Sequence, residues 1–394
     1  MPTLSPKKLC TGCLACYESC KHNAIKLYVQ DGLNHITIES DKCINCKLCE
    51  QSCPIVNPIK PNKISNAIIY GGWCKNETLR MSAASGGAFT AIALAFFKLF
   101  KKAIIVGATL ENNVVKHIII EEKSELLRLT NSKYIQSDII GIYPQVKEKL
   151  RNGYYVLFSG TPCQIAGLYG FLGKYKESNF LYTTEIICHG APGKEAINLH
   201  LKYYNSKQIY SFRDKSNGWK DSYRTTIIIH NIPTKINKAE DKFYQIYTSC
   251  LLDRRSCSNC LYSAIDRVSD ITLGDFWGKD FTVENNKKGV SLIIANNSHG
   301  NSLLQSSSDD LYLFNSNLIE AINGQPRLYD GFKYIQFHPV ALFPKFFKKF
   351  LPEHLRLSIL TNRMPWKLLW GIYRFASILH TKRIKKRIIK KFCV

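Results

Sequence analysis

Eight cysteines near the amino end form two groups of identical spacing. Each group reads Cys-x2-Cys-x2-Cys-x3-Cys, and Pro54 follows the second. Three thiolates at this spacing wrap one [4Fe–4S] cluster, and the fourth points away to the other cluster. The spacing therefore predicts two clusters, one held by Cys10, Cys13, Cys16 and Cys53 and the other by Cys43, Cys46, Cys49 and Cys20.

Zinc is the main alternative for bunched thiolates. Zinc sites use two C-x2-C pairs or include histidine, and they need neither a third cysteine at x2 nor a fourth at x3. Lys21 follows Cys20 where the ferredoxin pattern has proline, a departure that removes no ligand. We therefore interpret the groups as iron–sulfur ligands that transfer single electrons.

The composition is that of a folded protein with an uneven charge. The 394 residues are 45% hydrophobic and include 15 Cys, which excludes general disorder and suggests two or three domains. No apolar signal segment precedes Cys10, and no apolar run reaches the ~20 residues of a membrane span. We expect a cytoplasmic protein whose bunched thiols bind metal rather than form disulfides.

Two loops downstream have the composition of ligand sites. Ser85-Gly86-Gly87 precedes a predicted helix, where free backbone N–H groups suit a phosphate, although a plain helix cap explains it equally. A buried strand ends at Phe158, and the GTPCQ turn of residues 160–164 follows it. Ligands of parallel sheets bind at such strand ends. The alternative there is a structural strand–helix turn with a buried cysteine.

A third metal site is suggested by Cys257-x2-Cys260. Cys188, Cys250 or Cys163 would complete it, and the alternative is that these are buried structural thiols. Asp270 and Asp275 flank a late strand and would bind a ribose hydroxyl or cap turns.

The surrounding pattern predicts the elements that position these residues. Alternating apolar residues on both sides of Asp31-Gly32 predict a β-hairpin between the two cysteine groups. Strand and helix patterns alternate from about residue 65. Residues 154–190 read as strand, helix and strand, the spacing of a parallel βαβ unit.

Seven strings in one order resemble the family of coenzyme F420 hydrogenase/dehydrogenase beta subunits, which includes the plant hydroxymethyl-chlorophyll reductase. They are SGGAFTAIA, SKYIQSD, FSGTPCQIAGL, ICHGAPG, FRDKSNGW, CSNC and SDITLGDFWG. With the N-terminal cysteines, the likeness covers roughly residues 1–330. The resemblance implies an FAD-binding α/β protein that passes electrons between a two-electron redox partner and iron–sulfur clusters.

The resemblance also implies roles for particular residues. The small-residue loop holds flavin phosphates, the SKY-x-QS string lines the flavin, and the GTPCQ turn lies near the flavin or a cluster. The implied cofactor-binding residues are Ser85, Gly86, Gly87, Lys133, Tyr134, Gln136, Ser137, Gly160, Thr161, Pro162 and Gln164. Those implied for a third [4Fe–4S] cluster are Cys163, Cys188, Cys257 and Cys260. No catalytic residue is assigned, and His189 is the best-placed histidine.

The carboxyl-terminal tail carries more than half of the excess positive charge. The net charge is +24, and residues 341–394 hold 14 of the 54 Lys and Arg with Glu353 as their one acid. Aromatic and aliphatic residues alternate with these bases. The pattern fits an amphipathic helix on an anionic membrane surface or, alternatively, a solvated helix packed on the core. We do not expect nucleic-acid binding, because the tail shows no fold of that kind.

The predicted fold is an α+β ferredoxin-type dicluster module followed by α/β flavin-binding domains of the coenzyme F420 hydrogenase beta-subunit type. The predicted units are residues 1–60 for the dicluster, 61–150 and 151–330 for the family's two domains, and 331–394 for the tail. The predicted function is an iron–sulfur flavoprotein oxidoreductase served by a redox partner protein or soluble electron carrier. The alternatives are a non-catalytic electron-relay subunit and a polysaccharide-associated redox protein with another substrate.

Overall fold

The computed structural model describes residues 1–250, 252–258, 260–330 and 385–390. Its strands are β1 Ile25–Gln30, β2 Leu33–Ile38, β3 Ile68–Cys74, β4 Ala103–Glu111, β5 Val114–Ile120, β6 Tyr155–Gly160, β7 Leu181–Ile186, β8 Gln208–Ser211, β9 Thr226–Ile229, β10 Ile232–Lys235, β11 Ile271–Asp275, β12 Ser291–Ala295 and β13 Leu311–Asn315. Its α-helices are α1 Ala15–Glu18, α2 Leu48–Ser52, α3 Glu77–Ser82, α4 Ala88–Leu99, α5 Ile142–Arg151, α6 Pro162–Leu172, α7 Glu195–Tyr203, α8 Lys242–Ser249, α9 Val283–Lys288, α10 Ser298–Ser306 and α11 Leu318–Ile322.

The two cysteine loops share one backbone conformation. Gly12 and Leu14 have φ of +68° and +62°, and the equivalent Asn45 and Lys47 have φ of +57° and +60°. Left-handed residues in alternation turn the chain tightly, and glycine and asparagine tolerate this best. Each loop then enters a short helix, α1 or α2. The repeated spacing in the sequence is therefore a repeat in structure.

The hairpin between the loops is confirmed. Strands β1 and β2 pair antiparallel, with Gln30 opposite Leu33. Asp31 and Gly32 both have positive φ, as a two-residue hairpin turn requires.

An eight-stranded mixed sheet forms the body, in the order β13-β3-β12-β11-β7-β6-β4-β5. Its centre is parallel, since β4, β6, β7 and β11 run the same way, and antiparallel strands flank it on both sides. The side chains of Ile104–Val106 and Val156–Phe158 are fully buried, as expected for strands covered on both faces. The predicted βαβ unit is confirmed as β6, α6 and β7.

A three-stranded sheet, β10-β9-β8, lies beside the main sheet. Helices α7 and α8 pack with it in a separate apolar cluster that includes Ile197, Phe212 and Phe243. This apolar cluster includes Val115 of β5 and so packs against the main sheet. It forms a wall next to the sheet's carboxyl edge.

The dicluster segment packs directly on α6. A Cβ at Gly167 would lie 2.9 Å from the Cys13 sulfur, and one at Gly170 would lie 2.2 Å from the Ser52 carbonyl oxygen. Glu18 accepts a hydrogen bond of 2.7 Å from the Gly141 N–H at the start of α5. Small residues on α6 therefore let both cysteine loops approach the body closely.

The predicted domain boundaries at residues 60, 150 and 330 remain predictions. Strands before and after residue 150 belong to one sheet. Most of the predicted tail lies outside the described residues. Residues 385–390 are helical, Ile388 packs into an apolar cluster with Ile322, and Lys385 donates to Asn323 at 2.6 Å. Among the described residues, no helix is both long and apolar enough to cross a membrane.

Candidate functional site

A cavity of about 810 Å³ opens at the carboxyl edge of the parallel strands. The residues that follow β6, β7 and β11 form its floor, the start of α4 lies on one side, and the β8–β10 layer with α8 lies on the other. Its volume is within the range of cofactor sites, and strand ends of this kind are where ligands bind.

All but one of the predicted cofactor-binding residues line this cavity. They are Ser85, Gly87, Lys133, Tyr134, Gln136, Ser137, Gly160, Thr161, Pro162 and Gln164. Gly86 is the exception, because it packs between strands instead. A Cβ there would lie 2.6 Å from both the Gly72 carbonyl oxygen and the Ser291 nitrogen. Gly86 thus brings the loop against the sheet, and Gly87, with φ of +78°, begins α4 at the cavity.

The GTPCQ turn is a capping box that connects two cavity walls. Thr161 caps α6, Pro162 is the first helical residue, and Gln164 Oε1 accepts from the Thr161 N–H at 3.0 Å. Gln164 Nε2 also donates to Ser137 Oγ at 2.9 Å. The SKY-x-QS string and the helix start are therefore held in a fixed relation.

Hydrogen bonds from Lys215 hold the small-residue loop of residues 85–87 in place. Lys215 is buried, and its ammonium donates to the carbonyl oxygens of Ser85 and Lys288 at 2.7 and 2.8 Å and to that of Arg80. Three carbonyl acceptors satisfy the three N–H bonds of a lysine. The loop that begins α4 is thus locked in place before any ligand binds.

Asp275 organises an aromatic wall. Its carboxylate accepts from Trp219 at 2.6 Å, from Arg213 at 2.9 Å and from Tyr223 at 3.0 Å. The Arg213 guanidinium also lies over the Tyr223 ring, 4.2 Å from its centre. Three donors from the protein bind its two oxygens, so Asp275 holds the aromatic wall in place.

The second ribose candidate, Asp270, does not line the cavity. It accepts from the Thr183 N–H at 2.7 Å and from Asn297 at 2.9 Å, joining β7 to the start of α10. Of the two readings open in the sequence, the geometry favours a structural role for this carboxylate.

Two nitrogen-bearing side chains face the cavity near the end of β6. His117 is buried, and its Nε2 lies 3.0 Å from the Ser159 carbonyl oxygen, which can only accept. Nδ1 is therefore the lone-pair nitrogen, and it has no hydrogen-bond partner among the described residues. Burial lowers the pKa of His117 to about 4, so the ring is neutral at pH 7. Enclosure by the protein lowers the pKa of nearby Lys133 to about 7.

Four cysteines from three separate segments meet in the cavity wall. All line the cavity: Cys163, Cys188, Cys257 and Cys260. Burial raises the pKa of the Cys163 thiol, and the charges of the other three add to the rise. The other three thiols are therefore within electrostatic range of Cys163.

Cys250 belongs to a different group. Its sulfur lies 4.0 Å from His189 Nδ1, and these two with Asp253 bring their ligand atoms within 4.8 Å of one another. His189 also packs on the Tyr247 ring at 4.9 Å.

The N-terminal thiols interact electrostatically across the two runs. Burial raises the pKa of Cys13 to about 12, and Cys10 and Cys53 contribute to the rise. Burial likewise raises the pKa of Cys49, and Cys20 and Cys46 contribute there. Cys53 thus acts on the first run and Cys20 on the second, and the division of the eight cysteines between two interleaved clusters stays a prediction.

Comparison with known families separates the chain into two recognisable parts. Residues 9–56 match the model described as a 4Fe-4S dicluster domain. Residues 154–320 match the model described as the C terminus of the coenzyme F420 hydrogenase/dehydrogenase beta subunit. The chain joins these two domains. The resemblance predicted from the sequence is therefore confirmed, and the dicluster match supports iron–sulfur clusters in the N-terminal part.

A search of curated proteins found no match. Among solved structures, the chain is similar to one from the F420-reducing [NiFe] hydrogenase complex of Methanosarcina barkeri, determined as a xenon derivative. The two are 12% identical with a TM-score of 0.47, and the match covers 71% of this chain and 95% of that chain.

Sequence reasoning missed His117, Arg213 and Lys215. His117 lies in the string VVKHIII, which resembles any buried strand. Arg213 and Lys215 lie within the family string FRDKSNGW, so that string was the available signal. Their partners are 62 residues away for Arg213 and up to 135 residues away for Lys215, and such pairings are not encoded locally.

Proposed function

We propose that this chain is an iron–sulfur flavoprotein oxidoreductase that moves electrons between three [4Fe–4S] clusters and a two-electron substrate at a flavin. The proposal rests chiefly on the position of Cys163. It lies one turn before Gly167 on the same face of α6, and Gly167 contacts Cys13. Cys163, a candidate ligand in the cavity wall, is therefore one helical turn from the residue that contacts Cys13, a candidate ligand of the N-terminal clusters.

The donor set fits a third cluster better than a single ion. Four cysteines hold either a [4Fe–4S] centre or one zinc ion. Among the described residues, these four are not a group whose ligand atoms all lie within 4.8 Å of one another, as a single ion requires. They lie in the wall shared by the cavity and the dicluster segment, and Tyr262 lies near both Cys13 and Cys163. The third cluster would thus lie between the N-terminal pair and the cavity.

The cavity walls fit a flavin nucleotide. The start of α4 presents backbone N–H groups beside Ser85 and Gly87, where a phosphate is favoured. Aromatic side chains of Tyr134, Tyr223 and Trp277 offer flat apolar surface for a ring system. A bound flavin would supply the exchange between a two-electron substrate and one-electron carriers. The chain's own residues bind it, orient it and exclude water.

Removal of the third site tests the proposal. Cys257→Ser with Cys260→Ser should lower the iron content of anaerobically purified protein from about twelve to about eight per chain, because one four-iron cluster is lost. The matched control is Cys74→Ser, a buried thiol in β3 that should leave the iron content unchanged. Eight iron in the wild type, unchanged by the double substitution, would contradict the third cluster.

Turnover decides between an enzyme and a relay subunit. Protein that holds its iron–sulfur clusters and flavin should reduce or oxidise a two-electron acceptor without a second polypeptide. Flavin reduction without turnover would instead assign the chain to electron relay for a partner. Absence of flavin from anaerobically purified protein would contradict the flavin part of the proposal.

A further inference from the structure

Arg254 lies at the junction of the dicluster segment and the third cysteine site. Its side chain is 3% exposed, and its backbone N–H donates to the Ala191 carbonyl oxygen at 3.2 Å. Its guanidinium lies against Gly12, between Cys10 and Cys13 in the chain, and its carbonyl oxygen accepts a hydrogen bond of 2.9 Å from the Cys257 N–H. A buried cation therefore lies beside the first cysteine loop and next to the segment that carries Cys257.

Specific hydrogen bonds hold the guanidinium against the first cysteine loop. Nε donates to Gln136 Oε1 at 2.9 Å, and Nη2 donates to the Asn34 carbonyl oxygen of the hairpin at 2.7 Å. Gln136 in turn donates to the Thr11 carbonyl oxygen at 3.0 Å. The hairpin, the cysteine loop and the cavity wall are thus connected through one side chain.

The loop is shaped to receive this side chain. A Cβ at Gly12 would lie 2.5 Å from Arg254 Cζ and Nη2, so only glycine leaves room for the guanidinium. Gly12 also has φ of +68°, which glycine adopts without strain. The close contact requires glycine between Cys10 and Cys13, and the conformation favours it.

One donor of the guanidinium remains unused. Nη1 is buried and has no hydrogen-bond partner among the described residues. A buried N–H without an acceptor is costly, and a charged one more so. The neighbouring thiols of Cys10 and Cys13 would become thiolates on binding iron, and thiolate sulfur accepts hydrogen bonds from N–H groups.

This inference rests on the proposed function. We propose that Arg254 sets the reduction potential of the first cluster, which is the N-terminal cluster assigned to Cys10, Cys13, Cys16 and Cys53. When a cluster is bound, Nη1 would donate to one of its sulfur atoms, and the positive charge of Arg254 would stabilise the form that has gained one electron. Only an electron would be gained in this step, so no bond would break and no proton would move. Arg254 thereby raises the reduction potential of the first cluster and makes it a better electron acceptor.

Redox titration monitored by EPR tests the charge effect. In Arg254→Gln, the reduced-to-oxidised ratio of the first cluster at a fixed potential should fall by about tenfold or more, given the strength of hydrogen bonds to charged groups. The matched control is Arg255→Gln, because Arg255 is the adjacent and exposed arginine. An unchanged ratio in Arg254→Gln overturns the inference while leaving the proposed function intact.

A second measurement begins with wild-type protein, so its main result does not depend on a variant that could fail to fold. Wild-type protein labelled with nitrogen-15 in its arginine guanidinium groups should show a nitrogen coupling to the reduced cluster in pulsed EPR. The coupling should persist in Arg255→Gln and vanish in Arg254→Lys, which keeps the charge and loses the planar donor. Its absence from reduced wild type overturns the inference, whereas absence of any reducible cluster overturns the proposed function itself.

Discussion

Polar atoms in the cavity wall determine what the cavity can hold. His117 and Lys133 line the cavity with the residues at the start of α4. His117 Nδ1 has no hydrogen-bond partner among the described residues, and the Lys133 nitrogen donates to the Thr130 carbonyl oxygen at 2.6 Å. A flavin nucleotide carries the complementary set, with ring N–H, ring acceptors and phosphates. A single substitution tests each of these proposed contacts.

His117→Leu removes the buried acceptor. We expect flavin affinity to fall by about tenfold, the equivalent of one hydrogen bond that is lost without replacement. Fluorescence titration of flavin-depleted protein measures this. His230→Gln serves as a control because His230 is exposed and distant from the cavity lining. Equal affinities for wild type and His117→Leu would show that Nδ1 does not contact the flavin.

Lys133 should make flavin binding depend on pH. Because its pKa is lowered to about 7, the side chain is charged below that pH and neutral above it. An anionic ligand favours the charged form, so affinity should be highest below pH 7 and fall as the pH rises through 7. Lys133→Met should bind more weakly and lose this dependence. A wild-type affinity that is flat over about pH 6 to 9 would contradict the assignment.

The iron–sulfur character of the N-terminal part was predictable from the sequence, whereas the buried polar residues His117 and Arg213 of the cavity were not. Cysteine spacing is local, and the loop between Cys10 and Cys16 requires no knowledge of the fold. Arg254 could not be assigned a role from the sequence, because its contacts with Gly12 and Asn34 join segments more than 200 residues apart.

Helix α6 carries the functional contacts of the molecule on one element. Its start forms the cavity turn, Cys163 lies in its first turn, and Gly167 and Gly170 receive the two cysteine loops. The βαβ unit that contains it was predictable, because its apolar pattern and its Gly-Thr-Pro turn are strong local signals.

Gly167→Ala tests the docking of the dicluster segment on α6. An alanine Cβ would lie 2.7 Å from Cys13 Cβ, so the loop must move. Glycine to alanine inside a helix ordinarily stabilises by about 0.5–1 kcal/mol, whereas overpacking costs about 1–3 kcal/mol. We expect a lower midpoint of thermal unfolding and less iron per chain. A rise in the unfolding midpoint with full iron content would show that α6 and the loop do not meet closely.

Other elements could not be predicted from local pattern. Strands β8 and β10 have four residues each, and β10 is largely exposed with Pro233 inside it. Short, exposed strands carry little hydrophobic periodicity. The antiparallel additions of β12, β3 and β13 depend on pairings between distant segments, such as Leu311 with Cys74.

At the scale of the whole molecule, close contacts connect the N-terminal cysteine loops to α6 and α6 to the cavity. The two N-terminal cysteine loops contact α6, whose first turn carries Cys163, and Cys163 lines the cavity together with Cys188, Cys257 and Cys260. Family strings made the parts predictable. Their order in space was not, because the contact of Cys13 with Gly167 spans 154 residues.

The most direct test follows electrons from the amino end to the cavity. Holoprotein purified without oxygen is mixed rapidly with a reduced ferredoxin, and the flavin's visible absorption is recorded in wild type and in Cys163→Ser. We predict rapid bleaching in wild type and bleaching slowed at least tenfold in the variant, with the N-terminal clusters still reduced at the wild-type rate. Equal bleaching rates in the two proteins would contradict a route through the third cysteine site.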